Sequence, residues 1–459
     1  MSPRASDLLI ASSDAAHPVH LVKAGEALGG RKAAWAKANG FSGKAGQLLL
    51  VPDESGTVTE ALFGIGETFD PFSVRGLTPR LPHGDWRLEG VTGEAVEQAA
   101  LAFALGGYVF DRYKQRERPS ARLVVEGFDL TETLDIVAAA QLAREMVDTP
   151  AQDMGPLQLE TIAREIAQSA GASIAVTTGD QLLEDNYPAV HAVGRAATVE
   201  RAPRVIEIGW KLDQTGLPLI ALVGKGVVFD TGGLNLKPGA GMRNMKKDMG
   251  GSAHALALGR LIMQADLPVR LVVLVAAVEN AISGDAFRPG DILSTRKGLT
   301  IENGNTDAEG RLILSDILTR AGEHEPNLTL DFATLTGAAR IALGPQLPPL
   351  YTDDEALAEG LLAAGRKVGD PLWRMPLWAP YAASLDSEIA DIKNDSAAWA
   401  QAGSVTAALF LQMFAPTSGL WAHMDIFAWN PKARPGYAEG AECQAIRACY
   451  NYLKAQYGK

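Results

Sequence analysis

Apolar and polar positions alternate in two regimes along this chain. From the N-terminus to about residue 113, short apolar runs such as Gln47 to Val51 are separated by polar loops, and the stretch from Ala95 to Tyr113 is apolar enough to predict a helix. The charged segment Lys114 to Ser120, broken by Pro119, predicts a surface connection, followed by a short strand from Ala121 to Val125. From Thr131 to Val147, apolar residues at Leu134, Val137, Ala138, Leu142 and Met146 mark one face of a helix that Pro150 terminates. Beyond it, predicted strands (Ser173–Thr177, Val205–Trp210, Leu219–Val223, Leu271–Val278, Leu328–Phe332) alternate with predicted helices such as Ser252–Gln264 and Leu312–Glu323. This alternation predicts an α/β fold, a mostly parallel sheet sandwiched by helices, with a smaller N-terminal α/β domain. The expected divisions are an N-terminal domain over 1–128, an interdomain helix over 129–149 and the large domain over 150–459.

Composition narrows the picture only slightly. With 47% hydrophobic and 21% charged residues, the chain has ordinary globular proportions, and its net charge of -12 argues against general attraction to nucleic acid or anionic lipid. The longest apolar run, Leu271 to Val278, is far short of a membrane span, and the N-terminus lacks the apolar core of a signal peptide. Two cysteines, Cys443 and Cys449, make neither a disulfide framework nor a zinc site, so a cytoplasmic location is expected.

Candidate chemistry concentrates where glycine does, with 8 glycines in the 28 residues from Gly224 to Gly251. The order of a P-loop is absent there, and Gly224-Lys225-Gly226 does not continue into a dinucleotide fingerprint. The segment instead offers Lys225, Asp230 and Asp248, and a second segment, NTDAEGRL, offers Asp307 and Glu309. On a helix Asp307 and Glu309 would diverge, whereas on an extended segment residues i and i+2 face one side, so an extended conformation is expected, with the helix beginning near Leu312. Four converging carboxylates repel one another unless cations neutralise them, and two divalent ions balance the charge. Oxygen donors without histidine suit Mg, Mn or Zn, and Lys225 could ligate only as the neutral amine. Each acid taken singly also fits a solvated or capping role, so spacing alone leaves the metal site open. His254 reads as a core residue, and Asp331, Thr334 and Thr336 as either ligand-binding or turn-forming.

The blocks VGKGVVFDTGGLNLKP, DMGG, NTDAEGRL and DFATLTGA, in this order and spacing, resemble the leucine aminopeptidase (cytosol aminopeptidase) family of dinuclear metallopeptidases. The resemblance implies that Lys225, Asp230, Asp248 and Glu309 hold one ion and that Asp230, Asp307 and Glu309 hold a second, more exchangeable one, Zn or Mn. It implies catalytic roles for Lys237 and Arg311, with Lys237 stabilising the oxyanion and Arg311 holding a bicarbonate that acts as general base. It further implies peptide substrates with a free N-terminus and a homohexameric assembly. Met245, Asn305, Thr334, Leu335 and Gly337 are expected to contact substrate. Phe427 and Asn430, which follow Met424-Asp425-Ile426, depart from the family's usual pocket residues and put a leucine preference in doubt in favour of a broader or shifted one. A DNA-binding regulatory role, resting on Arg243, Lys246 and Lys247, is the alternative, opposed by the net charge.

Overall fold

The computed structural model describes residues 5–396 and 400–458. The chain forms two compact units, Met1–Gln141 with Asn430–Gly440, and Leu142–Trp429 with Ala441–Lys459. The helix Thr131–Asp148 runs across the division, and the eleven-residue return of Asn430–Gly440 to the first unit carries no signal in the hydrophobic pattern.

Among the described residues the main sheet of the first unit holds six strands, β1 (Leu9–Ile10), β2 (His17–Lys23), β3 (Leu48–Pro52), β4 (Val58–Gly66), β5 (Gly84–Glu89) and β6 (Ala121–Val124). They lie in the order β1-β6-β5-β2-β4-β3, all neighbours parallel except β3 and β4. The predicted helix from Ala95 runs over Glu94–Gly106 and buries every residue from Ala99 to Gly106. It stops short of Tyr113 at the paired glycines Gly106 and Gly107, which favour helix termination, and Gly106 lies against the Arg75 carbonyl, where a Cβ would come within 2.3 Å.

The second unit is built on strands β7 (Ser173–Thr178), β8 (Arg204–Trp210), β9 (Leu219–Asp230), β10 (Arg270–Asn280), β11 (Ile292–Ser294), β12 (Thr300–Glu302), β13 (Leu328–Ala333), β14 (Pro349–Tyr351), β15 (Trp373–Arg374), β16 (Ile392–Lys393) and β17 (Leu420–Asp425). Eight of them form one sheet in the order β15-β14-β17-β13-β9-β10-β8-β7, while β11, β12 and β16 form a small separate sheet. The centre, β17-β13-β9-β10, is parallel; β8 pairs antiparallel with both β10 and β7, and β14 pairs antiparallel with β17. The sheet is therefore mixed, with the expected parallel arrangement at its core.

Both faces of the central strands are covered, which is why they read as continuous apolar runs. Leu219, Ala221 and Val223 of β9 share a core with Ile313 and Ile317 of the helix Glu309–Glu323. The alternate residue Leu222 faces Gly259 of the helix Gly250–Gln264, on the other side of the sheet.

Deep in this core, Asp331 of β13 is fully buried and accepts hydrogen bonds from Trp421 Nε1 (2.7 Å) and His423 Nδ1 (2.5 Å) on neighbouring β17. Its role is structural, inside the sheet rather than in a turn. Burial pushes the His423 imidazole down, but the Asp331 charge outweighs it and holds its pKa above the usual value. Asp331→Ala strands two buried donors and is expected to destabilise the protein by roughly 3 kcal/mol or more, measured as a lowered thermal unfolding midpoint. A midpoint equal to the native value would show that the pair contributes no net stability.

Candidate metal centre

Four parallel strands deliver the site. Strand β9 extends past the predicted Val223 and carries both Lys225 and Asp230. Five positions apart on a regular strand they would face opposite sides. The pairing with β10 shifts, however, from Val227↔Val278 to Asp230↔Asn280, so β9 holds one extra residue, and this bulge restores both side chains to one side. The pocket they enter lies beyond the carboxyl ends of the parallel strands, where α/β sheets bind ligands.

Asp307 and Glu309 reach it differently from the extended segment expected. Thr306–Ala308 is a single 3-10 turn, capped by the Asn305 side chain, and Glu309 opens the helix Glu309–Glu323. A turn tighter than an α-helix brings i and i+2 closer in angle than the regular helix considered from sequence. Oxygen atoms of Asp230, Asp307 and Glu309 consequently lie within 4.8 Å of one another. Gly310 lies in the first turn of that helix, where a Cβ would stand 2.7 Å from the Lys225 amine. The two segments are locked together by Thr306, whose hydroxyl donates to the Gly232 carbonyl (2.6 Å) and accepts from the Asn235 N–H (2.8 Å).

Charge in the pocket is partly offset by two lysines. Lys225 Nζ lies 2.8 Å from Asp248 Oδ2 and 3.0 Å from Glu309 Oε1, and it donates to the Thr334 carbonyl at 3.1 Å. Lys237 Nζ lies 2.8 Å from Asp230 Oδ2 and 2.5 Å from Asp307 Oδ1. Burial pushes both amines down, but the surrounding carboxylates outweigh it and hold both above the ordinary lysine value. The acids show the strain of convergence. Burial, followed by the Asp230 charge, pushes Glu309 up to about 8 and raises Asp307. Asp248 moves the other way, because Lys225 overcomes its burial.

These residues fit a divalent cation site. Asp248 Oδ2, Asp307 Oδ1 and both Glu309 carboxylate oxygens are buried without a hydrogen-bond donor, so ion pairs with the lysines are what satisfies the first two and one Glu309 oxygen. Hard anionic oxygens so arranged are the donor set that divalent ions require.

Surrounding side chains hold this arrangement. Asn280, at the end of β10, donates to Asp230 Oδ1 (2.8 Å) and to the Thr306 carbonyl (3.1 Å). Asn394, after β16, accepts from the Gly304 N–H and donates to the Asn305 carbonyl, and its own carbonyl accepts from Arg311 at 2.7 Å. Neither asparagine was among the candidates; only the position of Asn280 at the carboxyl end of an apolar run could have pointed to it. Asp425 accepts from the Leu335 and Thr336 N–H groups and from the Thr336 and Ser404 hydroxyls, fixing the loop after β13. Thr336 is thus turn-forming, and it caps the helix Gly337–Leu343.

Arg311 is half-buried, with its Nε shielded from water and free of any hydrogen bond, and desolvation lowers its pKa to about 10. It lines a cleft of about 300 Å³ together with Asn305, Asp307, Leu335 and Gly337. Thr334 spends its hydroxyl on Asp248 (2.8 Å to Oδ1). Met245 is half-buried at the start of the turn Met245–Met249, which carries Asp248, and Phe427 is half-buried with its N–H donating to Gln444. Asn430, which belongs to the first unit, is buried, and its amide donates to the Ala438 carbonyl. His254 is fully buried, its Nδ1 2.6 Å from the Gly250 carbonyl and its Nε2 accepting from the Gln444 N–H; burial pushes it down to about 4, as befits a core residue.

The basic triplet behind the DNA-binding alternative is not a surface patch. Lys247 is buried and Lys246 is half-buried with its ammonium on the Asp148 carbonyl, leaving only Arg243 exposed. Among the described residues no helix is long and apolar enough to cross a membrane, and both cysteines are buried free thiols.

A buried acidic pocket at the carboxyl ends of parallel strands, with basic groups converging on it, defines an α/β enzyme equipped for cation-assisted chemistry. Residues 141–450 match the catalytic domain of the cytosol aminopeptidase family, and residues 20–126 match the M17 aminopeptidase N-terminal domain. The "Probable cytosol aminopeptidase" of Alcanivorax borkumensis is 35% identical over 447 residues, 91% of this chain and 90% of the relative; that of Roseiflexus castenholzii is 39% identical over 367 residues, 75% and 74%. The crystal structure of the cytosol aminopeptidase from Coxiella burnetii superposes with a TM-score of 0.91 at 42% identity, covering 98% of this chain and 100% of that one. A bottromycin maturation enzyme, BotP, solved in complex with Mn, superposes with a TM-score of 0.86 at 32% identity over 96% and 99% of the two chains. The chain belongs to the cytosol aminopeptidase family and is an aminopeptidase.

Because Asn280 ties Asp230 to the Thr306 turn, Asn280→Ala is expected to weaken divalent-ion affinity by about 10- to 100-fold, measured by isothermal titration with Mn. Native affinity in that variant would show that Asp230 is held without it.

Proposed function

We propose that the protein removes single residues from the free N-terminus of peptides with the help of two divalent ions, Zn or Mn, held by Lys225, Asp230, Asp248, Asp307 and Glu309. The observation that carries this reading is the convergence of four acidic side chains, with four buried carboxylate oxygens lacking hydrogen-bond donors, on two lysine amines. That BotP was solved with Mn supports the choice of ion. When bound, such ions supply Lewis acidity and lower the pKa of water toward neutrality.

The chain's own groups supply the rest. Lys225 would give up its proton to solvent and act as a neutral donor, and Asp230 and Glu309 would contribute carboxylate oxygens to the ions. Lys237 would leave its ion pairs with Asp230 and Asp307 when cations arrive, and its ammonium would be free to stabilise the oxyanion of the tetrahedral intermediate. Arg311, even at about 10, stays protonated near neutral pH, so it cannot be the base; it would hold an anion such as bicarbonate that takes the proton. Asp425 keeps the backbone of Leu335 and Thr336 fixed where substrate would lie in the cleft. Met245, Asn305, Thr334, Leu335, Gly337 and Phe427 are the proposed substrate contacts, and a homohexamer is the proposed assembly.

Activity on aminoacyl amides should vanish with a strong chelator and return with Mn or Zn; full activity in protein shown by elemental analysis to be metal-free contradicts the reading. N-acetylated peptides should resist cleavage, since the free amine is what confines attack to the first residue, and their efficient turnover would indicate an endopeptidase. Lys237→Ala is expected to keep both ions and lose about 10²- to 10³-fold in kcat, whereas Glu309→Ala loses metal. Metal depletion in Lys237→Ala would refute this division of labour.

A further inference from the structure

Lys247 stands immediately before the metal-site residue Asp248 and is 6% exposed. Among the described residues it has no hydrogen-bond acceptor and no carboxylate oxygen within ion-pair distance of its amine. The carboxylate of Asp248 is already engaged by Lys225 and by the Thr334 hydroxyl. What Lys247 meets is the ring of Phe427, 5.2 Å from Nζ to the centroid. Arg340, exposed on the helix Gly337–Leu343, sets its guanidinium carbon 4.8 Å from the centroid of the same ring, and its side chain likewise has no acidic partner.

Two cations of like sign on one aromatic ring repel each other, and a ring face compensates only part of the cost of burying an ammonium. An anion brought from outside is the complement this corner lacks. The surrounding segments converge on the metal pocket: a Cβ on Gly250 would fall 2.8 Å from the Ala428 side chain and 2.9 Å from that of Thr334. The Lys247 turn, the end of β13 and the Phe427 segment therefore meet at one place beside Asp248. With Lys237 assigned to the oxyanion and Arg311 to the bound anion, Lys247 and Arg340 are the cations left for the substrate side chain.

We propose that Lys247 and Arg340 form a carboxylate-recognising pair, floored by the Phe427 ring, that selects peptides beginning with glutamate or aspartate. This rests on the aminopeptidase reading of the site. It makes Lys247 and Arg340 specificity determinants and gives the shifted preference expected from Phe427 a definite chemical direction.

The test compares kcat/KM of the metal-loaded, full-length protein on glutamyl and glutaminyl 4-methylcoumarin amides, which are nearly isosteric and carry no other carboxylate. The glutamyl substrate is expected to be favoured by about tenfold or more, the scale of a desolvated charge pair. Lys247→Met should reduce that ratio by about tenfold, Arg340→Gln by severalfold, and Lys247→Arg should preserve it. Metal content is measured for each variant; should Lys247→Met prove metal-depleted, Arg340→Gln carries the test. A native ratio near one, or a ratio unchanged by the variants, overturns the proposal while hydrolysis of other aminoacyl amides leaves the aminopeptidase reading standing. A preference for free-carboxylate dipeptides over their amides, without one for glutamyl amides, would place the carboxylate at the peptide's other end and also overturn it. Failure to hydrolyse any amide with metal bound would remove both readings.

Discussion

The structure depends on one electrostatic constraint, that three buried carboxylates and a fourth, half-buried one, that of Asp307, converge in one pocket beyond the carboxyl ends of neighbouring strands. Such a cluster is unstable without positive charge in contact with it. Lys225 and Lys237 provide that charge here, each bridging two of the acids. Much of the local architecture serves to make the contacts possible: the bulge in β9 that turns Asp230 toward Lys225, the missing side chain at Gly310, and Gly232, whose positive φ and tight approach to Asp307 tolerate no Cβ. An arrangement that needs so many local departures from regular geometry is costly unless the cluster is itself the purpose of the fold.

The residues that meet in the candidate site were largely legible because they sit in contiguous blocks whose identity and order are specific. The sheet was legible for a different reason: β9 and β10 are buried on both faces, so their apolar runs are nearly unbroken. What escaped were features that depend on contacts distant in sequence. The extended conformation expected for Asp307 to Glu309 gives way to a 3-10 turn because Thr306 is held by Gly232 and Asn235, some seventy residues away. Asn280 and Asn394 act through hydrogen bonds between segments and leave no periodic trace. The return of Asn430–Gly440 to the first unit is likewise a tertiary fact.

Basic residues were the least readable of all. Arg243, Lys246 and Lys247 form a cluster in sequence, yet Arg243 is exposed ahead of the turn at Met245–Met249, which leaves Lys246 half-buried and Lys247 buried. A run of charges is normally a solvated face, and this one became partly a wall of the functional pocket. The same turn that presents Asp248 to the cluster also sets the charge of the space beside it, so in the proposed function one short segment serves both the metal site and the substrate side chain.

The central claim is that two cations, with Lys225 as a neutral ligand, replace the lysine–carboxylate bridges. Anomalous diffraction from crystals grown with Mn addresses it most directly. The account predicts two anomalous peaks in the pocket, both in contact with Asp230 and Glu309, with the Lys225 amine ligating one of them and Lys237 withdrawn from Asp230 and Asp307. A single peak, or two peaks with Lys225 still ion-paired to Asp248 and Glu309, would contradict it.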